Sequence, residues 1–332
     1  MKHVLVTGGG GFLGCAIVKL LAARNIPIRS LSRNTYPNLT PFGVEQVQGD
    51  VADPEVVIKA CKGIDTIFHT AAKAGIWGPY HQFYRTNVIG TRNILAACKT
   101  NPEINLIYTS SPSVVFDGRD MKGANESSPY PKKFKAHYPK TKARAEQSIL
   151  AASKNGLKAI ILRPHLIWGP GDNHLAPRIL ARAHRLRQIG DGENKVDTIY
   201  IDNAARAHLL AQKALSKDPS LSGRIYFISQ DRPVKLWEMI NHILAAGAKP
   251  PVARTISPKK AYVIGAMLES IFRILSIKGE PSMTRFLAQE LSLSHWFDIS
   301  AAKKDLGYTP KISTAEGLAQ LKRWLHPLCD RE

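Results

Sequence analysis

Cysteine is scarce in this 332-residue chain, and the few cysteines present are widely separated. Cys15, Cys61, Cys98 and Cys329 form no CxxC pair, which argues against a zinc site or a disulfide framework and suits a reducing compartment. The chain lacks an uninterrupted apolar run of about 18 residues, and its first residues lack the pattern of a secretory signal. The sequence therefore predicts a cytoplasmic protein with no metal site and no membrane-spanning helix.

Acidic residues are also few relative to basic ones. The 46 lysines and arginines exceed the 26 aspartates and glutamates, and the formal net charge is +20. A surface of this kind attracts polyanions and phosphate-bearing ligands. No recognisable nucleic-acid-binding motif accompanies the charge, so an anionic cofactor and a small-molecule substrate are favoured over nucleic acid.

Short apolar strands alternate with helical stretches in the first half of the chain. The predicted strands are 4–7, 28–31, 44–48, 66–69, 106–109 and 159–162, and the predicted helices are 12–24, 55–61, 88–98 and 138–154. Strands that are apolar throughout are typical of a sheet covered on both faces. The pattern predicts an α/β fold with a doubly wound parallel sheet.

The alternation loosens after residue 170. Residues 177–188 and 258–277 are predicted to be helical, while 199–215 and 225–229 are predicted to return to the sheet. We expect residues 1–170 to form a dinucleotide-binding domain, which 199–229 rejoin. Residues 171–198 and 230–332 would form a smaller, mostly helical substrate-binding cap.

A glycine-rich turn links the first strand to the first helix. Gly8, Gly11 and Gly14 have the spacing GxxGxxG, and they permit a tight turn, a close approach of a pyrophosphate and close packing of the helix on the strand. Phe12 and Leu13 open the helix, whose free N–H groups favour phosphate. Because the turn lies between a strand and a helix, a dinucleotide site is favoured over a flexible loop.

The residues after the second and third strands bear on the choice of cofactor. An NAD site usually places an acid after the second strand, but this chain has Ser32 and Arg33 there. Arg33 can pair with a 2′-phosphate, or it can be a solvated surface residue, so NADP(H) is favoured and NAD(H) stays open. Asp50 and Val51 follow the third strand, where Asp50 can bind the adenine amino group or cap the next helix.

A YxxxK spacing places Tyr138 and Lys142 on one face of a helix. Pro139 fits only the first helical turn, so the tyrosine lies at the helix start. There the lysine and the helix dipole would lower the pKa of the phenol, as an acid–base catalyst requires. A tyrosine and a lysine on a solvated helix would show the same spacing by chance.

Adjacent hydroxyls precede this helix, at the carboxyl end of the fifth strand. Ligands of open α/β sheets bind at such ends, and a hydroxyl of Ser110 or Ser111 can bond the substrate oxygen beside Tyr138. The alternative role for these serines is capping of a turn. Ketone reduction would then need a hydride at the carbonyl carbon, a proton from Tyr138 and a hydrogen bond from Ser111.

With these motifs, the chain resembles the extended short-chain dehydrogenase/reductase superfamily and, within it, the 3β-hydroxysteroid dehydrogenase family. Further matching segments are 69–72, 87–91, 108–111, 162–172, 200–203, 278–281, 294–298 and 306–308. The resemblance implies a Rossmann-type sheet and a catalytic triad of Ser111, Tyr138 and Lys142, with Ser110 or Ser113 as the fallback for the serine.

The same resemblance implies further residues around the cofactor. Tyr138 and Lys142 would contact it, and Ala71, Ala72, Pro164 and His165 would line it. Asn87 would support the site from the next helix.

Within the family, segments 72–78 and 111–115 are similar to bacterial 2-alkyl-3-oxoalkanoate reductases. These enzymes use NADPH to reduce a β-keto acid, but closely similar sequences also act on sterols, so the substrate stays open between a hydrophobic 3-oxo acid and a 3β-hydroxysteroid. The alternative function is that of a sugar-nucleotide epimerase or dehydratase, which keeps NAD bound throughout. The missing acid after the second strand and an apolar helix in the cap disfavour it.

That apolar helix carries a stripe at helical spacing, formed by Ile264, Met267, Leu268, Ile271, Phe272 and Leu275. The commoner interpretation is a cap helix packed on the core. The alternatives are a wall of a substrate tunnel or, with the nearby lysines and arginine, a peripheral contact with a membrane surface. The sequence leaves the oligomeric state open, a homodimer included.

A basic stretch flanks the tyrosine of the YxxxK motif, formed by Lys132, Lys133, Lys135 and Lys140. These lysines can be a solvated face of the protein, or they can steer an acidic substrate towards the site.

Overall fold

The computed structural model describes residues 1–326, so Cys329 lies outside the described residues. The strands are β1 (Val4–Thr7), β2 (Ile28–Ser32), β3 (Glu45–Gln48), β4 (Thr66–His69), β5 (Asn105–Thr109), β6 (Met121–Ala124), β7 (Ala159–Pro164), β8 (Ile167–Trp168), β9 (Gln188–Ile189), β10 (Lys195–Val196), β11 (Ile199–Tyr200), β12 (Ile225–Ile228), β13 (Val234–Lys235), β14 (Thr255–Ile256) and β15 (His295–Phe297). The α-helices are α1 (Phe12–Ala22), α2 (Pro54–Cys61), α3 (Tyr80–Phe83), α4 (Gly90–Thr100), α5 (His137–Ser153), α6 (Leu175–Ala181), α7 (Ile201–Lys217), α8 (Leu236–Ala246), α9 (Pro258–Ile274), α10 (Arg285–Glu290), α11 (Ser300–Leu306) and α12 (Thr314–Leu325).

Seven strands form one parallel sheet in the order β3-β2-β1-β4-β5-β7-β12. Successive side chains of a strand point to opposite faces, and in β1 Val4 and Val6 enter one hydrophobic core while Leu5 enters the other. The doubly wound fold is therefore confirmed. The strand order reverses between β1 and β4, which is where ligands bind in open α/β sheets.

The seven-stranded sheet and the smaller sheet do not separate at a single boundary at residue 170. α7 packs on α1, and β12 joins the edge of the seven-stranded sheet. However, β6 pairs with β15 in a second, four-stranded sheet of the order β13-β10-β15-β6. Residues from both predicted domains therefore build this smaller sheet.

The predicted helix 177–188 is shorter in the structure. α6 ends at Ala181, a 3₁₀ turn covers Ala183–Arg185, and the chain then enters β9. Gln188 pairs with Thr255 of β14, and its N–H donates to the carbonyl of Arg254 at 2.7 Å. Strand pairing with a segment far along the chain thus outweighs the helical spacing.

The apolar stripe of helix α9 faces solvent, whereas the commoner interpretation placed it against the core. Four of the six stripe residues are exposed, namely Ile264, Met267, Ile271 and Leu275. Leu268 and Phe272 are only half-buried. The expectation that this stripe packs on the core is therefore wrong for most of its length. Within residues 1–326, no helix combines the length and the hydropathy needed to cross a membrane.

The buried face of α9 consists of small and polar residues. Ala261, Gly265 and Glu269 lie inward, and a Cβ at Gly265 would lie 2.6 Å from the carbonyl carbon of Thr284. The Glu269 carboxylate accepts hydrogen bonds from the Arg285 guanidinium at 2.7 and 2.9 Å. Close backbone contact and an ion pair between the buried Glu269 and the partly exposed Arg285 of α10 hold the helix in this orientation.

Candidate active site

A cavity of about 420 Å³ lies at the carboxyl ends of the sheet strands, at the reversal of strand order. All the predicted site residues except Asn87 and His165 line it. These lining residues are Gly8, Gly11, Phe12, Leu13, Gly14, Ser32, Arg33, Asp50, Val51, Ala71, Ala72, Ser111, Tyr138, Lys142 and Pro164. The fold thus brings the glycine turn and the YxxxK motif, which are more than 120 residues apart in sequence, to one cavity.

The glycine turn forms one wall of this cavity. Gly8 has φ of +72°, a conformation that favours glycine, and its N–H donates to the carbonyl of Leu31 at 2.7 Å. A Cβ at Gly14 would lie 2.1 Å from the carbonyl oxygen of Gly8. Gly11 begins α1 without a side-chain cap, and the first helical turn carries no acid. Its N–H groups and dipole therefore suit a phosphate group.

Ser32 and Arg33 lie at the carboxyl end of β2. The Ser32 hydroxyl is buried and has no hydrogen-bond partner among residues 1–326. The Arg33 side chain is exposed at the cavity, and it forms no ion pair within the described part of the chain. A hydroxyl and a guanidinium that are both available at this point can accommodate a phosphate.

Asp50 is not the cap of the following helix. Asp53 has that role, because its side chain accepts from the N–H groups of Glu55 and Val56. Asp50 accepts from the N–H of Ala52 at 2.9 Å and forms an ion pair with Arg85 at 3.2 Å. Its place on the cavity wall is thus compatible with the predicted contact to adenine.

Lys142 lies within the protein, one turn after Tyr138 on α5. Its Nζ donates to the carbonyl oxygen of Thr109 at 2.6 Å and lies 4.1 Å from the centre of the Tyr108 ring. Burial lowers the pKa of Lys142 to about 7, although the carboxylate of Glu146 acts in the opposite direction. The carbonyl, the ring and the carboxylate together fix the ammonium group beside the cavity.

The pKa of Tyr138 moves opposite to expectation. Burial raises it, and the hydrogen bond with the Ser111 side chain lowers it by less. Burial therefore outweighs the expected effect of the neighbouring lysine. The phenol therefore holds its proton near neutral pH, and its release as a catalytic acid requires stabilisation of the phenolate.

The hydroxyls after β5 differ in their surroundings. Ser111 Oγ lies 2.9 Å from Ser113 Oγ and accepts from the N–H of Ser113 at 3.2 Å, so it caps the 3₁₀ turn Pro112–Val114. The same side chain also lines the cavity. Ser110 Oγ is buried and lacks a partner among the described residues. The Ser111 side chain thus both caps this turn and lines the cavity.

Asn87 lies behind the cavity rather than on its wall. It belongs to the π-helical stretch Tyr84–Ile89. Its side chain accepts from the N–H of Lys73 at 2.8 Å and donates to Thr141 Oγ1 at 3.0 Å. The asparagine therefore ties the loop after β4 to the start of α5, which agrees with a supporting role.

His165 faces away from the cavity although Pro164 lines it. Its Nε2 lies 2.6 Å from Nδ1 of His295 in the second sheet, and both rings are buried. Burial lowers the pKa of His165 well below its usual range. The imidazole thus links the end of β7 to β15 of the second sheet, so His165 supports the structure and does not line the cavity.

Several cavity residues were not predicted from the sequence. They include Tyr36, Thr70, Ala74, Thr86, Asp172, Asn173 and His174. Asp172 caps α6 by accepting from the N–H of His174 and of Ala176, both at 2.7 Å. The matched segment 162–172 was a signal for this wall. Tyr36 had no such signal, since its ring reaches Gly10 from a loop without periodicity.

The sequence pattern of the 3-beta hydroxysteroid dehydrogenase/isomerase family matches residues 5–253, which is most of the chain. The chain belongs to this family. As a family member, and in agreement with its named relatives, it is an NAD(P)-dependent oxidoreductase. The expected family membership is therefore confirmed.

Two named relatives align with nearly the whole of this chain. A 2-alkyl-3-oxoalkanoate reductase of Stenotrophomonas maltophilia is 48% identical over 96% of this chain and 98% of its own length. A decarboxylating sterol-4-alpha-carboxylate 3-dehydrogenase of Mus musculus is 32% identical over 98% of this chain and 92% of its own.

Among solved structures, the UDP-glucuronic acid 4-epimerase of Bacillus cereus in complex with NAD superposes with a TM-score of 0.74. It is 22% identical and covers 98% of this chain and 99% of its own. At this identity the likeness shows the shared fold alone.

Proposed function

We propose that this protein reduces the ketone of a hydrophobic 2-alkyl-3-oxo acid to the 3-hydroxy acid, with NADPH as the reductant. One observation carries the proposal: Ser111, Tyr138 and Lys142 line the same cavity as the glycine turn. The 48% identity to a reductase named for this substrate class supports the choice of substrate.

The residues of the cavity fit a dinucleotide. The first turn of α1 and the glycines before it would hold the pyrophosphate, and Ala71, Ala72 and Pro164 would line the remaining length. When bound, the nicotinamide supplies the hydride. Lys142, held by the carbonyl of Thr109, would bind the adjoining ribose.

Three side chains would handle the substrate oxygen. Tyr138, whose pKa burial raises so that the phenol is protonated before the reaction, donates its phenolic proton to the oxygen as negative charge develops there. Ser111 donates a hydrogen bond to the same oxygen. Lys142 favours the phenolate that remains after proton transfer. Alcohol oxidation uses these steps in reverse.

The Tyr138→Phe variant tests this assignment. Loss of the proton donor should lower kcat by about 10²–10⁴-fold, with little change in the affinity for NADPH. Steady-state kinetics and a fluorescence titration with NADPH measure the two effects. Tyr226→Phe is the matched control, since its hydroxyl bonds Asp305 at 2.9 Å outside the cavity. Full activity of Tyr138→Phe would remove the tyrosine from the mechanism.

The preference for NADPH is assigned to Ser32 and Arg33. A guanidinium on a 2′-phosphate forms charge-assisted hydrogen bonds worth about 1.5–3 kcal/mol. Arg33→Ala should therefore raise KM for NADPH by about 10- to 100-fold and leave KM for NADH nearly unchanged. Arg24→Ala, at an exposed arginine after α1, serves as the control. Equal effects on both cofactors would contradict the assignment.

A sterol substrate is the second candidate, favoured by the 32% identity to the mouse sterol dehydrogenase. The two relatives' names share one chemical feature: the carbon that bears oxygen is next to the carbon that bears the carboxylate. A panel of 2-alkyl-3-oxo acids and 3β-hydroxysterols with and without a 4-carboxylate, each with NADPH, NADH and the oxidised cofactors, separates the candidates. Higher kcat/KM for sterols would reject the 3-oxo acid as the substrate.

An epimerase or dehydratase remains the alternative on this fold. Such an enzyme retains NAD and shows no net turnover of free cofactor. The absence of an acid after β2 disfavours it. Oxidation of one NADPH for each hydroxy acid formed would support a reductase. Purified protein that holds NAD tightly and oxidises no added NADPH would reject the reductase.

A further inference from the structure

The apolar surface of α9 faces solvent along the whole helix. We call the residues Ile264, Met267, Ile271, Ile274 and Leu275 the outer stripe of α9. All five are exposed, and the exposed fraction reaches 59% at Met267, 80% at Ile274 and 65% at Leu275. Contiguous apolar patches are uncommon on the surface of a monomer and mark contact sites. The outer stripe is therefore a candidate contact surface.

The charges around the outer stripe indicate the chemistry of that occupant. Lys259, Lys260, Arg273 and Lys278 are exposed around it. The only acid between residues 254 and 279 is Glu269, whose carboxylate is covered and paired with Arg285. A helix with an apolar face and cationic flanks is typical of proteins that lie on an anionic lipid surface.

A second copy of this chain is a poorer occupant. Pairing the same face of two copies would bring these cations close to one another. Like charges across an interface are unfavourable, and no exposed carboxylate of the same segment is available to offset them.

Helix α9 also contacts the loop that continues from one wall of the cavity. The Phe272 ring of α9 meets the Trp77 ring edge-on at 6.3 Å, and the Arg273 guanidinium lies 5.4 Å from that ring. Trp77 belongs to the loop that follows the cavity residues Ala71 and Ala72. A surface bound to the stripe would therefore adjoin the loop beside the site.

We propose that the outer stripe of α9 docks this protein on the surface of an anionic lipid bilayer. The apolar side chains enter the boundary between headgroups and acyl chains, and the flanking lysines contact the lipid phosphates. Docking in this position brings the Trp77 loop, which continues from the cavity residues Ala71 and Ala72, next to the bilayer, where a substrate with long alkyl chains partitions. The docking itself rests on the surface of α9 and holds whatever the substrate is.

Vesicle sedimentation of the full chain tests the proposal. The probes are vesicles of phosphatidylglycerol and phosphatidylcholine mixed, and of phosphatidylcholine alone. We expect binding to the mixed vesicles and at least tenfold weaker binding to phosphatidylcholine. Met267→Glu and Ile274→Glu should each lower binding at least tenfold, and Lys259→Gln with Lys260→Gln should lower it about 30-fold, since each lysine near the surface contributes about fivefold.

Matched variants separate docking by α9 from general attraction to a basic protein. Ile58→Glu changes an isoleucine that is 64% exposed on α2, and Lys213→Gln with Lys217→Gln removes two exposed lysines of α7. Both should bind as the unchanged protein does. Thermal unfolding confirms that every variant folds.

Three results would overturn the proposal. The first is no binding to phosphatidylglycerol vesicles, and the second is an equal loss for the α2 or α7 variants. The third is a change in sedimentation coefficient without lipid upon Met267→Glu, which would assign the stripe to contact between copies of the chain.

Discussion

At the scale of single residues, the surroundings of Lys142 combine burial with two direct contacts and a nearby carboxylate. The Thr109 carbonyl and the Tyr108 ring contact its ammonium group directly. Glu146, one turn further along α5, is itself buried and forms an ion pair with Arg163 of β7. The YxxxK spacing predicts only that Tyr138 lies beside Lys142 on the helix. The strand residues that surround the lysine come from other parts of the chain.

The protonation of Lys142 should make stability depend on pH. Its pKa falls from 10.5 to about 7 upon folding, so the unfolded state binds more protons between these values and the free energy of unfolding rises with pH there. Relative to Lys142→Met, the unchanged protein should gain on the order of 2 kcal/mol between pH 7 and pH 9. Urea unfolding across this range measures the difference.

An exposed lysine provides the comparison for this measurement. Lys213→Met removes a solvated cation of α7, and its unfolding curve should run parallel to that of the unchanged protein at every pH. If the Lys142→Met curve also runs parallel, burial does not shift the lysine's titration.

At the scale of elements, β1, the glycine turn and α1 act as one unit. The turn is held by the bond from Gly8 to Leu31, and α1 starts close enough to the turn that Gly14 touches the Gly8 carbonyl. Such a unit depends on residues within a short stretch. For this reason its type, the bounds of β1 and the start of α1 follow from the spacing of glycines and apolar residues, whereas α1 ends at Ala22 instead of residue 24.

Gly14→Val should disrupt this unit. The new Cβ would lie 2.1 Å from a backbone oxygen, so α1 must move away from the strand, and we expect a loss of about 3 kcal/mol or more in the free energy of unfolding together with loss of NADPH binding. Denaturant unfolding and a dinucleotide titration measure both effects.

A glycine in open space provides a comparison in which the added side chain meets no neighbouring atom. Gly63 has φ of +74° and no atom within 4 Å of an added Cβ, so Gly63→Ala should cost only about 1 kcal/mol. A Gly14 variant no less stable than the Gly63 variant would show that the close approach is unimportant.

Helix α9 marks where element-level prediction fails. Its spacing correctly predicts a helix from residue 258, which ends at Ile274 instead of 277. The face that packs inward is decided by Gly265 against α10 and by the pair of Glu269 with Arg285. A partner helix beyond residue 284 cannot be recognised from the periodicity of α9 itself.

At the scale of the whole molecule, a chain with a net charge of +20 is proposed to bind an acidic substrate. Lys132, Lys133 and Lys135 are exposed just before α5. A field of this sign raises the rate of encounter with an anion and is screened by salt. The charge therefore favours capture of a carboxylate substrate over a neutral one.

Salt should consequently distinguish acidic from neutral substrates. With NADPH saturating, kcat/KM for a 2-alkyl-3-oxo acid should fall severalfold from about 20 to 300 mM NaCl, while kcat stays constant. The matching methyl ester, which carries no charge, is the control and should respond little. Equal salt dependence for acid and ester would exclude steering by the basic surface.

The parallel sheet, the glycine turn and the tyrosine–lysine pair could be predicted from the residues alone, because each shows in spacings along short stretches of the chain. Three features depend instead on the folded arrangement: His165 pairs with His295, 130 residues away, β6 joins the four-stranded sheet, and the apolar face of α9 points outward. These outcomes arise from contacts between distant segments, whose energies a local pattern does not contain.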